Sequence, residues 1–288
     1  VTQIPEVSVN TLKRIYIILY ITLVVVLVSK GVSGLLSGSF VIGWAGVALT
    51  GLPLLVFLVN AMVFRRTVRS RPNLPLTVGI ALVGLGLTAW QTFIGAGPDH
   101  LIALAVLGVI GLLIYIRWYS RFGRTPSAEI AVGAVLPEFE LTNTDGEIVA
   151  ASMLAQQPTV FIFIRGNWCP LCMGQVNEIS SAADRFMAAG LRVAFIAPQS
   201  VGKTRALAKG RPDGVGFYAD IGNAAGRRLK IHNPGGLPLG MEILGYRSET
   251  VLPTIIGVDA GGRIRWTHET DNYRVRPSPD VIIKAMTG

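Results

Sequence analysis

The chain has 288 residues, 51% hydrophobic and 15% charged, with a mean hydropathy of +0.52 and a formal charge of +9. Those values exclude an ordinary soluble protein. Ten of the 26 Lys and Arg precede Thr125, against only Glu6 and Asp99 among the acids, so the basicity belongs to an apolar half and excludes a nucleic-acid footprint.

A bilayer core of about 30 Å takes around 20 apolar residues in a helix. Four segments meet that requirement: Ile15 to about Leu36, Phe40 to Phe64, Leu76 to Ile94 and Leu101 to Trp118. They predict a four-span membrane region over residues 1–125. Lys30 interrupts the first span, but a lysine near a helix end snorkels to the headgroups. A cleaved signal peptide fits poorly, since no convincing small-residue cleavage site follows the first run and three more runs come after it.

Lys13, Arg14, Arg65, Arg66, Arg69, Arg71, Arg117, Arg121 and Arg124 fall on one side of these spans, and Lys30 beside Asp99 and His100 on the other. The positive-inside rule then places both termini, and everything after the spans, on the cytoplasmic side of a cytoplasmic membrane. The spans hold no cysteine and no histidine pair suited to haem. Asn60 and Gln91 read as interhelical hydrogen-bond partners, and Gly43, Gly46, Gly84 and Gly86 as sites of close helix packing. The region reads as an anchor in the lipid bilayer, or a docking surface for another membrane protein.

Arg121 to Ala134 reads as a linker, with the domain boundary at 126–134 and Gly123, Pro126 and Gly133 as punctuation. Beyond it, Phe139 to Leu141 predicts a strand, Asp145-Gly146 a turn, and Thr159 to Arg165 (TVFIFIR) a buried central strand. A helix follows through Ala189, with Val176, Ile179, Ala183 and Phe186 on one face. Leu191 to Ala197 predicts a second buried strand, Lys203 to Lys209 a helix, Gly216 to Ala219 a strand and Gly222 to Lys230 a helix. The pattern closes with strands at Thr254 to Asp259 and Arg263 to His268, turned at Ala260-Gly261-Gly262, and a helix from about Pro279 to Met286. Such alternation over 135–288 suits an α/β thioredoxin-like domain.

The two cysteines, Cys169 and Cys172, flank Pro170-Leu171 at the junction of the buried strand and the helix. A pair this sparse is a reactive dithiol, not a disulfide scaffold. At a helix N-terminus, free backbone N–H groups and the macrodipole stabilise the thiolate that attacks disulfides. Cys169 is the expected attacking and more exposed sulfur, and Cys172, nearly a turn further in, resolves the mixed disulfide. Pro170 fits the first turn, where no N–H is missed. Trp168 either lids the pair or is merely packed, and Arg165 either lends positive charge to the sulfur or is a solvated rim residue. His100, His232 and His268 supply no second ligand pair, so neither a metal nor a cofactor is expected. Val251-Leu252-Pro253-Thr254 places Pro253 directly before a strand, where a cis peptide presents backbone to a partner beside the dithiol. Val201-Gly202-Lys203-Thr204 lacks the upstream glycine of a phosphate loop, because position 197 is alanine.

The stretch from Gly133 through Pro137, Phe139, Leu141 and Gly146, then FIFIRGNWCPLC, IAPQS, FYADIGNAAGRRLKI, LPTIIGVDAGGRIRW and DNYRVRPSPDVI, resembles the peroxiredoxin-like (redoxin) branch of the thioredoxin superfamily, which carries the alkyl hydroperoxide reductase and thiol-specific antioxidant domain. The resemblance covers about residues 130–288. It implies that Cys169 is the redox nucleophile, Cys172 its partner and Pro253 the cis-proline, with Thr254 beside it. Typical members carry a proline seven residues, and a threonine or serine three residues, before the peroxidatic cysteine; here these positions are Ile162 and Gly166. Without that hydroxyl, dithiol–disulfide exchange on protein or small-molecule disulfides is the leading expectation, reset by an external thiol reductant. Thiol-dependent peroxide reduction through a Cys169 sulfenic acid is the second. An accessory or assembly role in a larger membrane complex is the third.

Overall fold

The computed structural model describes residues 6–64, 69–94 and 97–288, so Arg65 and Arg66 lie outside the described residues. The chain divides into two compact units, Leu12–Arg121 and a second made of Val1–Thr11 with Phe122–Gly288.

The first unit is helical: α1 (Glu6–Ser37), which starts in the other unit, α2 (Val41–Val59), α3 (Pro75–Phe93) and α4 (His100–Ile114). α2 and α4 run on into single π-helical turns at Asn60–Phe64 and Tyr115–Tyr119. Among the described residues, four helical stretches, Val9–Ser37, Val41–Val63, Pro75–Phe93 and His100–Tyr119, are long and apolar enough to cross a membrane. Leu27, Val47, Leu101 and Ala105 form the buried seam, whereas Leu82, Val83, Trp90 and Phe93 on α3 face outward.

Small residues bring α2 and α3 together. A Cβ on Gly46 would lie 2.4 Å from the Gly84 carbonyl oxygen, and one on Gly84 2.5 Å from that of Gly46. Thr88 Oγ1 donates across the seam to Gly43 O at 3.1 Å, and Gln91 accepts the Gly43 N–H. Gly86 faces open space instead, and Asn60 is exposed.

The second unit holds a seven-stranded sheet of order β2-β1-β5-β4-β3-β8-β9. Its strands are β1 (Glu140–Thr142), β2 (Ile148–Ala150), β3 (Thr159–Phe163), β4 (Arg192–Ala197), β5 (Val215–Ala219), β8 (Thr254–Val258) and β9 (Ile264–Glu269), with β6 (His232–Asn233) and β7 (Thr250–Val251) as a separate antiparallel pair. β3, β4 and β5 are parallel, while β8 runs antiparallel to β3 and β9 antiparallel to β8. Between them lie α5 (Ala151–Leu154), α6 (Pro170–Ser181), α7 (Ala183–Ala188), α8 (Val201–Ala208), α9 (Ala224–Arg228) and α10 (Pro279–Thr287).

The period-2 pleat divides the core in two. Val160 and Ile162 of β3 face Val176, Ile179, Phe186 and Ile282 of the helices, and both cysteines belong to this cluster. Phe161 and Phe163 face the other way, onto Ile130, Phe139, Leu154 and Leu229.

The expected linker is not a loose tether. Ser127 Oγ donates to Leu229 O at 2.7 Å, Ala128–Ile130 forms a 3-10 turn, and Gly133 N donates to Ile264 O at 2.8 Å. Ile130 is fully buried, and this single apolar anchor inside a polar, glycine-punctuated stretch ties it into the core.

Candidate active site

Central strand β3 ends at Phe163, and the chain crosses Ile164 to Trp168 before α6 begins. Gly166 takes φ +137, a region closed to residues with a side chain, and a Cβ there would lie 2.6 Å from Trp168 Nε1. Cys169 is the N-cap of α6 and Pro170 its first helical residue. The Cys169 N–H donates to Gly166 O at 3.2 Å, and Met173 N closes the first helical turn on Cys169 O at 3.0 Å.

Both cysteines are free thiols. Cys169 is 3% exposed and Cys172 fully buried, so the sulfur expected to be open is nearly as covered as its partner. Trp168, half-buried, packs against the cluster that holds them and carries the Arg165 guanidinium 4.7 Å above its ring. Arg165 also donates to Gly236 O, which makes it part of the wall of the site and not a solvated rim residue.

The charge of the dithiol rests on the inner sulfur. Burial alone would raise the Cys172 pKa, but a hydrogen bond from Cys169, the Arg276 guanidinium and the Arg165 backbone N–H pull it down to about 5. The Cys169 thiol is held well above its usual value, chiefly because it donates to Cys172, and further by its own burial. The pair therefore shares one proton, carried on Cys169. Sequence reasoning expects the thiolate on the N-cap sulfur, whereas the cationic contact falls on the inner one. The Arg276 guanidinium adds to the Cys169 hydrogen bond there, with Nη2 3.6 Å from Cys172 Sγ.

Arg276 is the residue that sequence reasoning missed. It is buried, donates to Gln175 Oε1 at 2.6 Å from Nη1 and to Tyr273 O at 3.1 Å from Nε. No spacing rule joins position 276 to position 172; only the sheet order, with α10 and its preceding loop folded back beside α6, brings them together. Asn167, Gln199 and Tyr246 were missed for the same reason. Asn167 N donates to Gln199 Oε1 at 3.0 Å, and Tyr246 Oη donates to Asn167 Oδ1 at 2.5 Å.

Pro253 and Thr254 cluster with Gln175, His268 and Arg276, so they meet the guanidinium whose Nη2 contacts Cys172. The expected cis bond at Pro253 is absent: no cis peptide occurs among the described residues. The trans form is the default for X–Pro, and here it is pinned on both sides. Leu252 N donates to Ile231 O at 2.7 Å, Thr254 Oγ1 to Leu252 O at 2.8 Å, and Arg124 Nη1 to Pro253 O at 3.1 Å. His268 stays neutral, its pKa lowered to about 4 by burial and by the charges of Arg276 and Arg124.

Residues 132–267 match the model of the AhpC/TSA family. Solved structures similar to the chain include peroxidoxin BcpB from Mycobacterium tuberculosis (18% identity, 55% of this chain and 96% of that one, TM-score 0.46). Others are reduced Prx3 from Vibrio vulnificus in complex with H2O2 (15%, 55% and 99%, 0.48) and a putative thioredoxin reductase from Burkholderia cenocepacia (17%, 55% and 99%, 0.46). No curated protein matches the sequence.

Proposed function

We propose, taking the AhpC/TSA-family domain at residues 132–267 as the premise, that the chain is a membrane-anchored thiol–disulfide oxidoreductase working through Cys169 and Cys172. The observation that carries the reading is the convergence of Arg276, the Arg165 N–H and the Cys169 thiol on the Cys172 sulfur. A proton-sharing dithiol at a helix N-terminus is built for exchange.

As Cys169 attacks a substrate disulfide, its proton passes to the Cys172 thiolate. A Cys169–substrate S–S bond forms and the other substrate sulfur leaves as a thiolate. Cys172, returning its proton to that leaving group, then attacks Cys169; the internal disulfide closes and the second substrate sulfur departs. An external dithiol supplies the two electrons that reset the pair. Because Cys169 is 3% exposed, attack needs local opening of the packing that Trp168 joins.

Peroxide reduction is the weaker reading, because Gly166 stands where a hydroxyl donor would be and its backbone excludes one. The four apolar helices, with Leu82, Val83, Trp90 and Phe93 turned outward, support the anchor. The test is turnover of insulin disulfides by the full chain. Cys169→Ser is expected to fall to background, and Cys172→Ser to accumulate a mixed disulfide. Full exchange activity in Cys169→Ser sinks the reading, and rapid peroxide consumption with a Cys169 sulfenate in Cys172→Ser favours the peroxidase.

A further inference from the structure

Leu237–Ser248 leaves the fold between β6 and β7 and returns to it, closed by a Leu237 N to Ser248 O hydrogen bond of 3.1 Å. Its sequence, LPLGMEILGYRS, is apolar where a surface loop is ordinarily polar. Inside it, Met241–Leu244 makes a 3-10 turn with no buried residue. Ile243 is 89% exposed, Leu244 60% and Leu239 55%. Among the described residues, no part of the domain buries these three large aliphatic side chains.

Two cations flank this tip, while the one acid on it, Glu242, turns back to accept Gly240 N at 3.1 Å. Lys203 Nζ donates to Leu244 O at 2.9 Å and lies 4.5 Å above the Tyr246 ring. Arg247 is exposed and lies against Gly222, next to the exposed Ile221. Apolar side chains at the tip with an aromatic ring and cations behind them match the layering of a membrane interface: acyl chains, then headgroup boundary, then anionic phosphates.

We propose that Leu237–Ser248 is an interfacial loop that seats Leu239, Ile243 and Leu244 in the headgroup boundary of an anionic bilayer. The inference rests on the membrane reading of the four helices. The loop is also tied to the dithiol: Tyr246 Oη donates to Asn167, Arg165 donates to Gly236 O, and Thr250 Oγ1 donates to Arg165 O at 3.0 Å. Seating the loop therefore turns the mouth of the site toward substrates presented at the membrane surface.

The test uses the full chain with Cys169→Ser and Cys172→Ser, carrying one new cysteine labelled with an environment-sensitive fluorophore. It is reconstituted in phosphatidylcholine vesicles containing phosphatidylglycerol and nitroxide-labelled lipid. Three exposed sites are compared: Ile243→Cys at the loop, Leu107→Cys on α4, and Ile148→Cys on β2. The expected result is blue-shifted emission and loss of most of its intensity to the lipid quencher at 243 and 107, with neither at 148. Replacing phosphatidylglycerol by phosphatidylcholine is expected to weaken the effect at 243 alone. Quenching at 107 without quenching at 243 overturns the loop inference and leaves the membrane reading standing, whereas no quenching at 107 overturns both. A blue shift at 243 that follows protein density, without lipid quenching, assigns the loop to a second copy and overturns the proposal.

Discussion

Arg276 and Gly166 set the chemistry of the dithiol from opposite sides. Arg276 holds the negative charge on Cys172, so the ultraviolet thiolate absorbance of the reduced protein is expected at neutral pH and is lost as pH falls through about 5. In Arg276→Gln that midpoint is expected to move upward; an unchanged titration would assign the charge to another group. The stability consequence changes sign with pH: the Cys172 contribution disappears as pH falls from about 8.5 through about 5, whereas the raised Cys169 withdraws stability as pH climbs above about 8.5. Gly166→Thr, which restores the hydroxyl of typical peroxiredoxins, is expected to lower stability by about 1–3 kcal/mol, because φ +137 and the Trp168 ring leave no room for a branched side chain. Peroxide turnover that rises in that variant would contradict the backbone argument. Cys169, Pro170 and Cys172 were legible from spacing alone, since a dithiol and its helix start are local. Arg276, Gln175 and Tyr246 were not, because their partners are set by the fold.

Strands β3, β4, β5, β8 and β9 were legible as elements because each is a short apolar run bounded by turn residues. β2, β6 and β7 were not: two or three residues carry no period, and their pairing depends on distant strands. Helix α6 ends at Ser181 and α7 begins at Ala183, a break inside what the sequence reads as one helix. The connection before β1 also holds an unforeseen device. Arg124, read from sequence as a topology cation, is a buried residue of the redox domain paired with Glu269, whose carboxylate also accepts Ser127 N at 3.0 Å. Glu269→Ala strands that guanidinium and is expected to cost about 3–5 kcal/mol. Asp280→Ala, which breaks the exposed pair with Arg185, is expected to cost less than about 1 kcal/mol. Thermal melts of the two variants compare the values directly, and equal losses would refute the assignment.

At the scale of the whole chain, composition breaks near Thr125, and the chain leaves the first compact unit at Arg121. Hydropathy shows where four apolar helices lie but not how they pack; that is settled by where a side chain is missing, at Gly46 and Gly84. The cation tally reads the redox domain as cytoplasmic, and we propose that sidedness with one fewer vote, since Arg124 serves the domain. Protease added to the cytoplasmic face of sealed vesicles is expected to digest the domain, and digestion only from the opposite face would reverse the orientation. The buried Cys172–Arg276 contact carries a last consequence. Closing the internal disulfide erases the anion, so the closed form forfeits an electrostatic attraction that the open form keeps. Reopening the pair restores that attraction, so the contact favours the resetting step in which an external dithiol returns two electrons.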